Sequence, residues 1–171
     1  MSRIAVLMTD MFEDVEYEKP ADAFSMAGHE LIRVGLSTGS PVRGKRGMMV
    51  KIDRAVHDVH VSDFDALFIP GGYSPDKLRI DDDAVRFAQE FVKSGKPVFG
   101  ICHAAQILIT AQVLKGRRVT GWKSIIQDIK NAGAEYVDAE VVIDGNLVTS
   151  RKPDDIPAFS KAALEMLKSR K

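Results

Sequence analysis

Cysteine and histidine are scarce in this sequence: Cys102 is the only cysteine, and there are four histidines among 171 residues. A single cysteine cannot form an intrachain disulfide, which excludes a disulfide-stapled fold and leads us to expect a cytoplasmic protein. His57 and His60 are three residues apart, but no third ligand follows at a matching interval. We therefore expect no metal site.

The sequence also has no excess of charge of either sign, because 24 lysines and arginines balance 24 aspartates and glutamates. Aromatic residues make up only 7%, and no basic cluster alternates with them. This pattern argues against nucleic acid and anionic membranes as partners. No apolar run is long enough to cross a bilayer, and the apolar run near the N-terminus is too short for a signal peptide.

What the sequence does have is enough apolar content, 45%, to fill one core in a chain of this length. With no linker, repeat or low-complexity segment, we expect a single domain over residues 1–171. Apolar runs alternate with amphipathic segments, which predicts an α/β fold. We expect a flavodoxin-like three-layer sandwich, in which helices cover both faces of a mostly parallel sheet.

The spacing of apolar residues and turn signals places the elements. Strands are predicted at residues 4–8, 31–36, 66–69, 98–101, 118–120, 135–137, 141–143 and 147–149. Helices are predicted at 17–27, 83–94, from about 103, 124–132 and 157–167, with a hairpin around residues 42 and 48–52. Crossovers between parallel strands are right-handed, so functional groups are expected at the carboxyl ends of the strands.

Cys102 follows the apolar run 98–101 directly and opens a segment with helical spacing. This is the context of a nucleophile elbow, although Gly100-Ile101-Cys102-His103-Ala104 matches the G-x-S-x-G pattern only in part. A lone cysteine is often just a small buried hydrophobe. The strand–turn–helix context instead favours a catalytic or redox thiol, and the free N–H groups of a helix start predict a depressed thiol pKa.

Three segments distant in sequence end at the same predicted edge of the sheet. They carry three acids after the first strand, a glycine pair after 66–69, and the thiol with its histidine after 98–101: Glu13, Asp14, Glu16, Gly71, Gly72, Cys102 and His103. Taken singly, the acids fit a helix N-terminus and the glycines fit a plain turn. Together they predict a nucleophile site with an oxyanion hole.

The chain resembles the PfpI family of intracellular cysteine peptidases. The resemblance rests on Phe12-Glu13-Asp14-Val15-Glu16-Tyr17, Pro70-Gly71-Gly72, Gly100-Ile101-Cys102-His103 and Val148-Thr149-Ser150-Arg151, in this order across nearly the whole chain. The same superfamily holds the parkinsonism-associated protein deglycase and bacterial general stress proteins. Glutamine amidotransferases of similar topology use a second histidine near the C-terminus, and no histidine follows His103 here.

The resemblance implies a role for each matching residue. Cys102 matches the nucleophile, Glu16 the carboxyl that hydrogen-bonds it, and the N–H groups of Gly72 and His103 the oxyanion hole. Asp76 falls where a carboxylate of a neighbouring subunit completes a triad with the histidine, which implies a homodimer or higher homo-oligomer. One departure is that Ala104-Ala105 stands where relatives commonly have Gly-Pro; alanine still favours the helix after the elbow.

Within this family, the residues favour an enzyme that acts on small reactive carbonyl compounds or their protein adducts, of the glyoxalase or deglycase type. A thiolate, a carboxyl group and an oxyanion hole suffice for that chemistry, and no cofactor is implied. The alternative is an intracellular cysteine peptidase, which needs a general base and a cleft for a peptide. A second alternative is a non-catalytic redox sensor or chaperone, since a reactive thiol alone can serve as a sensor.

Overall fold

A computed structural model describes residues 1–170 and has a seven-stranded sheet at its centre. Its strands are β1 (Arg3–Leu7), β2 (Glu30–Gly35), β5 (Arg54–Ala55), β6 (Ala66–Ile69), β7 (Val98–Ile101), β10 (Val142–Asp144) and β11 (Leu147–Ser150). They lie in the order β10-β11-β7-β6-β1-β2-β5. All neighbouring pairs are parallel except β10 and β11. The flavodoxin-like α/β fold predicted from the sequence is confirmed.

Two small strand pairs lie outside this sheet. They are the antiparallel hairpin of β3 (Val42–Arg43) with β4 (Met49–Val50) and the parallel pair of β8 (Arg118–Val119) with β9 (Glu135–Tyr136). The helices are α1 (Asp14–Met26), α2 (Ser74–Leu78), α3 (Asp82–Lys93), α4 (Ala105–Thr110), α5 (Ile126–Asn131) and α6 (Ile156–Ser169). Three-residue 3₁₀ turns lie at Val56–Asp58, Val61–Asp63, Cys102–Ala104, Lys123–Ile125 and Pro153–Asp155.

Helices cover both faces of the sheet. Side chains alternate between the two faces along each strand, so neighbouring residues of one strand belong to different core clusters. On one face, Val6 of β1 belongs to a core cluster that includes Phe24 of α1 and Phe159 of α6. On the other face, Leu7 belongs to a cluster that includes residues of α3, α4 and the turn before α5. The strands therefore form the middle layer of a three-layer sandwich.

The structure corrects the predicted elements at two places near the site. Helix α1 begins at Asp14, so Asp14 and Glu16 lie in its first turn and not in the loop in front of it. Acids at that position favour the helix because they face its N-terminal dipole. Helix α2 was missed, because five residues are too few for a periodic pattern, and it places Asp76 on a helix and not on a loop.

Among residues 1–170, no helix combines the length and the apolar character needed to cross a bilayer.

Candidate active site

The nucleophile elbow predicted at Cys102 is present. Cys102 follows β7 with φ of 64°, a conformation that is uncommon outside glycine. The chain then turns through Cys102–Ala104 into α4, so Ala104-Ala105 supports the helix as expected. The Cys102 carbonyl accepts a hydrogen bond from the Trp122 N–H at 3.0 Å, which ties the strained residue to a second segment.

Gly71 and Gly72 bring the backbone of the loop after β6 against the thiol. A Cβ at residue 71 would collide with Glu16 Oε1 and lie 2.7 Å from Cys102 Cβ, so only glycine leaves room for the carboxyl and the sulfur to meet. Gly72 has φ of 77° and pairs with Phe12. The N–H groups of Gly72 and His103 are directed at the sulfur and lower the pKa of the thiol.

Glu16 is fully buried on the first turn of α1. Burial and, to a lesser extent, the charge of Glu13 raise its pKa from 4.5 to about 8. The Cys102 thiol, Lys45 and the Gly71 N–H oppose this rise in pKa, but within residues 1–170 no donor reaches either carboxyl oxygen with full hydrogen-bond geometry. At neutral pH the group is therefore a carboxylic acid that can donate a proton.

Opposing effects act on the pKa of the Cys102 thiol. Burial raises its pKa, and ionisation of Glu16 would raise it further, whereas the N–H groups of Gly72 and His103 lower it. Burial therefore opposes the depressed thiol pKa that the helix start predicts, because placing a charge in a closed site is costly. The thiolate consequently needs a base that takes its proton.

His103 is in position to be that base. Its Nδ1 lies 3.3 Å from Cys102 Sγ, although neighbours in a turn often point apart. Burial and the charge of Lys45 lower the pKa of His103, while Asp76 opposes them. The imidazole is therefore neutral at neutral pH and can accept a proton. Its Nε2 lies 3.2 Å from Ser124 Oγ, a partner that sequence reasoning missed because only the fold brings a serine 21 residues away to this ring.

The other predicted acids have different roles. Asp14 accepts hydrogen bonds from the N–H groups of Arg46 and Met48, at 3.1 and 3.0 Å, and so fixes the β3–β4 hairpin against α1. Asp76 is exposed on α2, and its charge reaches His103, but its side chain forms no hydrogen bond or ion pair to that ring in the part of the chain described. Its role across a subunit interface stays a prediction.

Cys102 lies in a pocket of about 290 Å³. The pocket is lined by Glu13, Glu16, Lys45, Gly72, Tyr73, Cys102, His103, Trp122 and Pro153. Glu13 forms ion pairs with Lys45 at 3.2 Å and with Arg46 at 3.1 Å. These three side chains together carry one net positive charge. Lys45 also lies over the Tyr73 ring at 4.9 Å. The sequence analysis missed Lys45, whose approach depends on the hairpin.

Within residues 1–170 there is no group of three or more His, Cys, Asp or Glu side chains arranged to hold a metal ion.

Comparison with known proteins gives consistent matches over almost the full chain. A family model described as the DJ-1/PfpI family matches residues 2–166. "Protein/nucleic acid deglycase 2" of Escherichia coli is 54% identical over 167 residues, covering 96% of this chain and 97% of that protein. "Putative cysteine protease YraA" of Bacillus subtilis is 54% identical over 166 residues, covering 97% and 98%. "General stress protein 18" of the same organism is 53% identical over 167 residues, covering 96% and 97%.

Solved structures also match over almost the full chain. The crystal structure of a two-domain protein from Anabaena variabilis, with DJ-1/ThiJ/PfpI-like and ferritin-like domains, has a TM-score of 0.96 and 39% identity. That match covers 98% of this chain and 48% of the larger one. DJ-1beta of Drosophila melanogaster has a TM-score of 0.88 and 29% identity, covering 97% of this chain and 91% of that one.

Proposed function

The chain belongs to the DJ-1/PfpI family, and from that premise we propose that it is a cysteine-dependent enzyme acting on small reactive carbonyl compounds, free or attached to proteins. We infer that it does so in the cytoplasm, where its one thiol stays reduced. Two similar proteins are named as deglycases: the one from Escherichia coli and "Deglycase PYRAB04690" of Pyrococcus abyssi, which is 43% identical over 166 residues.

One observation carries this proposal: a buried carboxyl with a pKa of about 8 adjoins the thiol in a pocket of about 290 Å³. A pocket of that size suits a compact carbonyl compound better than an extended peptide. A carboxyl that holds its proton near neutral pH can both give a proton to a carbonyl oxygen and take one from carbon.

The chemistry follows from the placement of the groups. Cys102 gives its proton to His103 Nδ1, and the sulfur attacks the aldehyde carbon, so that a C–S bond forms and the carbonyl electron pair moves onto oxygen. The N–H groups of Gly72 and His103 would donate to that oxygen, and Glu16 would protonate it to give a hemithioacetal.

For an α-oxoaldehyde, the Glu16 carboxylate can then take the proton from the aldehyde carbon and return it to the neighbouring carbon, while the hydroxyl proton of the hemithioacetal moves to the neighbouring carbonyl oxygen. This leaves a thioester on Cys102. Water hydrolyses the thioester, which frees the thiol and a 2-hydroxy acid. The net reaction adds one water and requires no oxidant, reductant or cofactor.

The contact of 3.3 Å between Cys102 Sγ and His103 Nδ1 favours a second candidate, a cysteine peptidase, because a nucleophile beside a base is also what peptide cleavage requires. The relative named as a putative cysteine protease is consistent with this alternative. A peptide must reach the sulfur through the same small pocket, and for that reason we rank this candidate second.

The decisive experiment measures methylglyoxal consumption and cleavage of a fluorogenic peptide with the same purified protein. We expect methylglyoxal turnover that is lost in Cys102→Ser, with the fold intact by circular dichroism. Peptide cleavage without methylglyoxal turnover would replace the proposal with the peptidase. Neither activity, together with reversible peroxide oxidation of Cys102, would favour a redox sensor.

A further inference from the structure

The His103 ring lies between two side chains of its own chain. Cys102 Sγ is 3.3 Å from Nδ1, and Ser124 Oγ is 3.2 Å from Nε2. A base acts well only when a partner fixes its ring and its tautomer. The resemblance assigns that task to an acid of a neighbouring subunit, whereas the structure already places the Ser124 hydroxyl of the same chain at Nε2.

The position of Ser124 is fixed by the elbow itself. Ser124 is the central residue of the turn Lys123–Ile125, and this turn follows Trp122, whose N–H donates to the Cys102 carbonyl at 3.0 Å. The Ile125 N–H closes the turn onto the Trp122 carbonyl at 3.0 Å, and the Ile125 side chain is buried. Two backbone hydrogen bonds therefore hold Ser124 at a set distance from the thiol.

The role of His103 as a base decides the direction of the hydrogen bonds. Nδ1 is the ring nitrogen that lies 3.3 Å from Cys102 Sγ, so it takes the thiol proton only as an acceptor, with the S–H donating to it. A neutral imidazole carries only one hydrogen, which must then be on Nε2. Ser124 Oγ accepts this hydrogen, and the lone pair of Nδ1 remains directed at the sulfur.

We propose that Ser124 is the positioning residue for His103, holding the ring in the tautomer in which Nδ1 accepts the Cys102 proton. A hydroxyl stabilises an imidazolium less than a carboxylate does, which suits a base that stays neutral until it takes the proton. Because Nε2 offers one hydrogen, Ser124 and an acid such as Asp76 of a neighbouring subunit are competing partners. The inference rests on Cys102 being the nucleophile of the proposed function, but not on any particular substrate.

The first test is alkylation of Cys102 by iodoacetamide across a range of pH, which reports one site because the chain has one cysteine. We expect Ser124→Ala to react about fivefold more slowly at neutral pH, the effect of losing one ordinary hydrogen bond. The deficit shrinks toward alkaline pH, where hydroxide competes with His103 for the proton. Ser124→Thr, which keeps the hydroxyl, restores the rate.

The matched control is Ser62→Ala, since Ser62 is likewise exposed and central in a three-residue 3₁₀ turn, Val61–Asp63, but precedes β6 at the opposite end of the sheet. We expect it to react like the wild type. A Ser124→Ala deficit that is the same at every pH, or that Ser124→Thr does not rescue, would mean a change in pocket shape and would overturn the proposal.

The second test is the ¹⁵N signature of the His103 ring, which separates the two neutral tautomers. We expect the Nε2–H form in the wild type and a mixture in Ser124→Ala. A wild-type ring in the Nδ1–H form, or a signature that changes in Asp76→Asn and not in Ser124→Ala, contradicts the proposal. Neither test uses methylglyoxal, so absence of turnover would refute the proposed function alone.

Discussion

The buried carboxyl of Glu16 makes a prediction about stability that is separate from any assay of activity. Its pKa is about 8 in the folded protein and 4.5 in an unfolded chain. Between these values the folded state binds the additional proton, so stability falls as the pH rises. Ionisation of this carboxyl costs no stability below pH 4.5, where the group is protonated in both states, and it has its full cost above pH 8.

The size of the effect follows from the two pKa values. Integrated from pH 5 to pH 8, the wild type loses about 3.5 kcal/mol in the free energy of unfolding through this group alone. Glu16→Gln keeps the shape of the side chain and cannot ionise. The variant therefore lacks this contribution to the slope of the free energy of unfolding against pH. We expect the variant to be more stable than the wild type at pH 8 while losing catalytic activity.

Urea denaturation at a series of pH values, followed by circular dichroism, measures this directly. Glu18→Gln is the matched control, because Glu18 is on the same helix but exposed, and we expect it to retain the wild-type slope. Identical slopes for wild type and Glu16→Gln would mean that the carboxyl ionises normally and holds no proton for catalysis, contrary to this prediction.

Three further predictions concern residues around Cys102 and Glu16. We expect Gly72→Ala to lower the melting temperature and abolish activity, because a Cβ there collides with backbone atoms of Glu13 and Met11 at φ of 77°; a fold and activity like the wild type would contradict this. Lys45→Met removes a charge that lowers the pKa of both Glu16 and His103. NMR titration is therefore expected to move the His103 pKa upward, and an unchanged value would contradict that electrostatic role. If Asp76 of a neighbouring subunit completes the site, Asp76→Asn lowers activity while light scattering still finds an oligomer, and a fully active monomer would exclude that arrangement.

The sequence predicts the strands next to the thiol well, and the physical reason is local. The predicted bounds 66–69 and 98–101 agree with β6 and β7. Both strands are apolar runs whose two faces are covered, so every residue in them is buried. The elbow at Cys102 follows from the same pattern. The start of α1 was placed three residues too late, because a group of acids indicates a loop and a helix N-terminus equally well.

The pKa shifts at the site and the contacts made by Ser124 and Lys45 could not be predicted in this way. Burial of the thiol and of Glu16 depends on how closely α1, the Gly71 loop and the elbow approach one another, which no local pattern encodes. The same holds for Ser124 and Lys45, which come from a turn and a hairpin distant in sequence. Sequence reasoning identified the candidate site residues, while the direction of their pKa shifts required the fold.

We propose that Cys102 forms a covalent intermediate with a small α-oxoaldehyde, and rapid acid quenching followed by peptide mass spectrometry detects such an intermediate. We predict that the wild type, mixed with methylglyoxal, carries one methylglyoxal mass on the peptide containing Cys102. That mass is lost on hydroxylamine treatment, as expected for a thioester, and decays as a 2-hydroxy acid appears. Cys102→Ser forms neither adduct nor product. Product formation without any adduct on Cys102, or by the serine variant at the wild-type rate, would show that the reaction does not pass through Cys102.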